Sequence, residues 1–258
     1  MKRRRWQMGC GLQRINFSIG DPLQQFHSSV SAWGRLLDWL SLRYNVLFCV
    51  SAGNHPGPIV LDVPRAGFQG LSVQDREKET LKALKRDMRL RRILSPSDSI
   101  NSVTIGAWHR DFGPILNLPH RFDPLPSEPV PSPLNGLGCG FRNSTKPDIL
   151  LPGGRQFYQE RLGNTHANAT LDVNAGTVAP GILTASPSGV AGQINGEKHT
   201  RGTSNAAAFG ARSSGFFYEQ LLLLRNEPGG DRLTEEFATV LLKSMLVHGA
   251  AWAWLWRT

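Results

Sequence analysis

A continuous apolar run lies within Asn45 to Ser51, and this stretch reads as a parallel strand buried on both faces. Just ahead of it, Val30 to Tyr44 sets Trp33, Leu36, Leu37 and Leu40 on helical spacing, so an amphipathic helix leads into that strand. Arg14 to Ile19 reads as a shorter buried strand, broken by Gly20-Asp21-Pro22. Asp75 to Ile93 spaces Leu81, Leu84 and Met88 for one helical face and covers the rest with basic residues, which predicts a surface helix. Ser99 to Ala107 is a further strand. Pro147 and Pro152 fix φ on either side of a short apolar strand, and Gly153-Gly154 then permits a sharp turn. Leu171-Asp172-Val173-Asn174 and Thr177-Val178-Ala179 read as edge strands or a hairpin. Ala206 to Leu224 is expected as a buried helix running through Phe209, Phe216, Phe217, Leu221 and Leu224, and Leu233 to Val247 as an amphipathic one. Helix, buried strand, then a polar side chain at the strand's carboxyl end is α/β architecture, in which ligands bind at that end of the sheet.

At 258 residues the chain suffices for one large domain with its own core. Residues 1–12 lack periodicity and read as an irregular start. Residues 111–140 are rich in Pro, Gly and Ser, with Pro126, Pro129, Pro131 and Pro133 marking a surface loop. The net charge of +9 raises nucleic acid as a partner. Much of the excess is local: Lys2 to Arg5 supply four charges, and residues 75–92 hold eight Lys/Arg against four Asp/Glu. No zinc finger, helix-turn-helix or aromatic-basic interleaving accompanies them, so a solvated basic face is the reading and no nucleic-acid partner is expected. An anionic-partner site is the alternative, and a nucleic-acid module would depend on Arg86, Arg89, Arg91 and Arg92. The three cysteines, Cys10, Cys49 and Cys139, form no metal spacing and no disulfide framework. Cys49 reads as core, and no metal or cofactor is expected. No apolar run reaches membrane-spanning length, and the basic start lacks a hydrophobic signal segment, so a cytoplasmic location without membrane partners is expected.

The candidate chemistry begins at Gly202-Thr203-Ser204-Asn205-Ala206-Ala207-Ala208, a serine at the mouth of a helix with small residues behind it. Helix starts offer unpaired N–H groups and a positive dipole end, both useful to a developing oxyanion. Three other stretches precede it in order: Ile15-Asn16-Phe17-Ser18-Ile19-Gly20; Val46 to Ser51 closing on Ala52-Gly53-Asn54; and Lys146-Pro147-Asp148-Ile149-Leu150-Leu151-Pro152-Gly153-Gly154. Together, over roughly residues 13–250, these resemble the subtilisin-like serine proteases, the subtilases. The resemblance implies a parallel sheet flanked by helices and a serine endopeptidase acting on peptide or protein substrates. It makes Ser204 the nucleophile, Asn54 the side-chain donor of the oxyanion hole, and Ser18, Ile19 and Gly20 the edge against which a substrate strand pairs. Taken alone, Asn54 before Pro-Gly reads as a turn former. The Lys-Pro-Asp stretch has an architectural role without chemistry. Two positions depart from the family: Asn205 stands where Met is usual and Ala208 where Pro is usual. Gly-Thr-Ser-Asn-Ala-Ala-Ala, with the helix that follows, is similar to a branch of large bacterial subtilases.

A serine hydroxyl becomes a good nucleophile only when a histidine takes its proton and a carboxylate orients that histidine. The family's Asp-[Ser/Thr]-Gly and His-Gly-Thr motifs are nowhere in these 258 residues. His27, His55 and His199 neither precede Gly nor open a helix, and none is expected to serve as base. The sequence therefore reads as the carboxyl-terminal part of the peptidase domain (13–258), weak or inactive alone, whose partner is a missing amino-terminal segment. Such a piece leaves a strand edge of the sheet open, and Trp252, Trp254 and Trp256 without a partner surface. The rival reading is a non-catalytic, peptide-binding pseudoprotease scaffold.

Overall fold

A computed structural model of the chain describes residues 14–111, 113, 120–127, 130–164 and 166–250. Lys2 to Arg5, Cys10, Pro129 and the three carboxyl-terminal tryptophans lie outside them. The short first strand, β1, spans Arg14–Phe17, and β2 follows at Asp21–Gln25. Helix α1, Ala32–Tyr44, starts where the Ser31 hydroxyl accepts from the Gly34 N–H. It stops where Asn45 takes a left-handed φ of 54° and returns its N–H to the Ser41 carbonyl. That turn feeds the apolar run, which becomes strand β3, Leu47–Ser51, with all five residues buried. Next come β4 (Ile59–Pro64), the short helix α2 (Arg65–Gly70), α3 (Val73–Arg86) and β5 (Leu94–Ser95). Strand β6 is Val103–Trp108, and β7 (Gly138–Cys139), β8 (Thr145–Lys146) and β9 (Ile149–Pro152) follow. Then β10 (Tyr158–Glu160), β11 (Asn168–Val173), β12 (Ile182–Ser186) and β13 (Gly196–Thr200) lead to α4, Thr203–Arg225, and α5, Ala238–His248.

The central sheet runs β1-β3-β6-β9 with every pair parallel. Side-chain alternation along β3 divides the core. Leu47 and Cys49 join Val103, Ile105, Ile149 and the α4–α5 residues Ala206, Leu221 and Leu242 on one face. Phe48 and Val50 meet Leu37 of α1 on the other. The fold is thus mixed α/β, a parallel sheet flanked by helices, as the apolar patterning predicts. Helix α4 approaches β6 so closely that a Cβ on Gly210 would lie 2.2 Å from Ile105 Cδ1. β1 closes the row with β3 as its one neighbour, and its residues are partly buried or exposed.

The Lys-Pro-Asp stretch acquires a physical role. Buried Lys146 donates from Nζ to the Ser99 carbonyl (3.2 Å), to Thr104 Oγ1 (2.8 Å) and to Asp148 Oδ2 (2.8 Å). Asp148 grips Thr104 twice, its carboxylate accepting from the Thr104 N–H at 2.7 Å and its own N–H donating to the Thr104 carbonyl at 2.8 Å. This knot sets the register of β6 against β9. Lys146→Met leaves a largely buried carboxylate without its cation, so a loss of about 3 kcal/mol is expected, read as a lower urea midpoint at unchanged slope.

Four expectations are corrected. The strand expected from Ser99 begins at Val103, because Asp38 Oδ1 gathers the Ser99 hydroxyl and the N–H groups of Ile100 and Asn101 into a turn. α3 ends at Arg86, short of Met88; Leu81 on it and Met88 beyond it are 42% and 48% exposed, and the helix buries Glu77, Thr80 and Ala83 against an antiparallel sheet of β10-β11-β4. Residues 177–179 form no strand, and the hairpin is β12 with β13. Finally, the second half of α4 is open on one side, with Phe216, Leu223 and Leu224 at 50% exposure or more.

Candidate active site

The residues singled out in the sequence sit around the carboxyl ends of the parallel strands. β1 leads into Ser18-Ile19-Gly20, β3 into Ala52-Gly53-Asn54, and β9 into Gly153-Gly154. The start of α4 is tied to this rim, since the Gly202 N–H donates to the Gly153 carbonyl at 2.9 Å. Gly202 has φ 119° and ψ −176°, a backbone region that residues with a Cβ avoid. A Cβ there would also fall 2.7 Å from Asn54 Oδ1 and 2.9 Å from Nδ2. Glycine is required because the asparagine amide lies directly against the chain.

Having no side chain, Gly202 cannot cap the helix it precedes. Asn54 does so from 149 positions away: its Oδ1 accepts from the Thr203 N–H at 3.0 Å and from the Thr203 hydroxyl at 3.2 Å. The amide is thereby oriented, oxygen toward the helix, and Nδ2 makes no hydrogen bond among the described residues. A turn former needs no such anchoring. Ser204, the second residue of α4, is half-buried, and its Oγ has no hydrogen-bond partner among the described residues. Its carbonyl lies 3.2 Å from Ser18 Oγ, which also reaches Asn16 Oδ1 at 2.8 Å, so one hydroxyl proton serves one acceptor at a time. The strand end and the serine are therefore neighbours. Ile19 is 56% exposed, while Gly20 lies over Leu94.

Asn205, one of the departures from the family pattern, has a defined place. Its Oδ1 accepts from Thr200 Oγ1 (3.1 Å) and its Nδ2 donates to the Gly153 carbonyl (3.3 Å), clamping the turn that carries Ser204 between β13 and β9. Nothing in the pattern of the sequence announces this: Thr200 is five positions away, but Gly153 lies 52 positions back and meets Asn205 only once the sheet forms.

His55 and His109 are engaged elsewhere. His55 Nε2 lies 2.7 Å from the Arg92 carbonyl, and burial, helped by the charge of Arg91, pushes its pKa below the usual 6.5 despite that bond. His199 belongs to the β12–β13 hairpin, and no ring bond of it is found among the described residues. Sequence reading missed His109, whose side chain is fully buried after β6. Its Nε2 meets Asp123 Oδ1 at 2.7 Å and its Nδ1 accepts from the Gln156 N–H at 3.4 Å, so both nitrogens are occupied. Because folding favours neutral His55, the unfolded chain binds the extra proton. Stability is expected to be fully present above about pH 6.5 and to fall as the pH drops through the lowered native value; His55→Gln should flatten that slope in thermal scans.

A family model described as the subtilase family matches residues 5–227. Uncharacterized protein y4bN of Sinorhizobium fredii (strain NBRC 101917 / NGR234) is 30% identical over 156 residues, 59% of this chain and 33% of that protein. The chain thus spans about a third of the length of the curated relative it matches. No solved structure matches the chain.

Proposed function

Because the chain belongs to the subtilase family, a family of serine peptidases, we propose that it carries the nucleophilic half of an endopeptidase site. Ser204 attacks the scissile carbonyl of a peptide held along Ser18, Ile19 and Gly20. The tetrahedral oxyanion is received by the Ser204 N–H and by Asn54 Nδ2, and expulsion of the amine leaves an acyl-enzyme that water hydrolyses. The observation that carries this reading is the anchoring of Asn54. An amide whose oxygen is fixed by Thr203 presents its N–H₂ end without reorganising when charge develops on the substrate.

The general base and its orienting carboxylate come from residues outside these 258, in an amino-terminal segment of the same domain. Two features support this: neither motif occurs in the sequence, and the rings of His55 and His109 are already committed. The same features favour a second reading, a peptide-binding scaffold without turnover.

The mass of the protein in its own cells, followed through peptides spanning Ser204, separates the two. A polypeptide well above 28.4 kDa that also yields Asp-Thr-Gly-like and His-Gly-Thr peptides is the outcome expected of a peptidase. A 28.4 kDa species would sink the peptidase reading and give the scaffold reading the lead.

A further inference from the structure

The basic stretch is divided by the fold, and the division exposes a second site. Arg86 is neutralised by Asp62 and Asp87. Arg91 is buried and donates to the carbonyls of Pro133, Gly57 and His55. Arg89 and Arg92 face instead into a groove of about 620 Å³, where Arg142 joins them from the 137–143 segment. None of the groove's lining residues is Asp or Glu. Arg92 Nη1 bonds the Phe26 carbonyl and lies 3.4 Å from His27 Nδ1, while Arg142 stacks on Phe141 at 5.4 Å. Neither Arg89 nor Arg142 has a hydrogen bond or ion pair among the described residues. Elsewhere Arg65, Arg155, Arg161 and Arg225 each hold a carboxylate. Three guanidinium groups converging on a concavity without counter-charge make a local anion trap.

The groove is within reach of the substrate edge. Phe26 and His27, on its wall, follow β2, and the six residue steps from Gly20 to Phe26 span at most about 20 Å. A peptide lying along Ser18 to Gly20 reaches it with a few further extended residues.

We propose that this groove is an exosite that holds an acidic stretch of the substrate polypeptide, Asp or Glu carboxylates pairing with Arg89, Arg92 and Arg142. A nucleic acid is the poorer occupant. Phe26 is buried and the face of Phe141 is covered by Arg142, so neither phenylalanine of the groove offers a base a stacking surface. The proposal rests on the peptide-substrate reading of Ser18 to Gly20, but its test does not require cleavage.

Fluorescein-labelled hexaglutamate is titrated against the full chain carrying Ser204→Ala, and anisotropy is read at low salt. Saturable binding is expected, weakened about tenfold or more in the Arg89→Gln/Arg142→Gln double variant and abolished by high salt. Both substituted arginines lie outside the packed core, so the variant keeps the fold. Bound hexaglutamate should also slow alkylation of Cys139, an exposed thiol on the groove wall, followed by peptide mass mapping. Absence of binding, equal binding by the double variant, or tighter binding of an oligothymidylate of equal charge overturns the proposal. Hexaglutamate binding in a native protein without turnover leaves the groove standing and removes the peptidase reading.

Discussion

Ser204→Ala is expected to lower peptide-bond hydrolysis by the native protein on the order of 10⁶-fold, the loss known for the nucleophile of subtilisin in the same family. Alanine fits the site without strain, since Ser204 Oγ makes no hydrogen bond among the described residues and alanine is the best helix former. Thermal stability should stay within about 0.5 kcal/mol of the parent, and peptide binding should persist. The measurement is kcat/KM on a fluorogenic peptide beside a binding titration with the same peptide. If the parent shows no hydrolysis to lose once the whole polypeptide is assayed, the nucleophile assignment fails and binding alone remains.

Asn54 allows the next largest effect to be dissected, because its two ends do different work. Asn54→Asp keeps an oxygen facing the Thr203 N–H, where the helix start favours negative charge. It removes the donor and sets a like charge beside the developing oxyanion. Turnover should fall about 10²- to 10³-fold, the size found for the corresponding donor in subtilisin, a member of the same family. The melting temperature should hardly move. Asn54→Leu removes the acceptor too, so a stability loss of about 1 kcal/mol should accompany a similar loss of turnover. Equal turnover in parent and Asn54→Asp would show that Nδ2 does not meet the transition state. The contrast between the two substitutions separates anchoring from catalysis.

Local pattern told most where one stretch of chain decides its own environment. The run 46–50 is apolar throughout, and only the interior of a parallel sheet accepts it on both faces. α1 likewise is legible from the spacing of Trp33, Leu37 and Leu40 within its own 13 residues. Residues that work through distant partners were less legible. β4 reads weakly because Pro58 and Pro64 bracket it and its partner β11 lies more than 100 positions on. The buried face of α3 carries Glu77 and Thr80, which spacing of large apolar residues overlooks. The clamp made by Asn205 and the shared amide of Asn54 exist only after β9, β13 and α4 have met. The order of motifs pointed to the right family and to a rim of the sheet, while the distribution of cations needed the fold itself.

The helix that carries Ser204 in its first turn contacts β1, β3, β6 and β9 alike. Its first turn is bound to Asn54 and its middle is pressed onto Ile105. A segment so connected has no small opening of its own. Amide hydrogens of the residues following Ser204 should therefore exchange with deuterium only through whole-domain unfolding, as slowly as those of β3 and β6. The exposed second half of α4 should exchange sooner. Inactivation by denaturant would then coincide with loss of the domain, with no partially opened, inactive species preceding it.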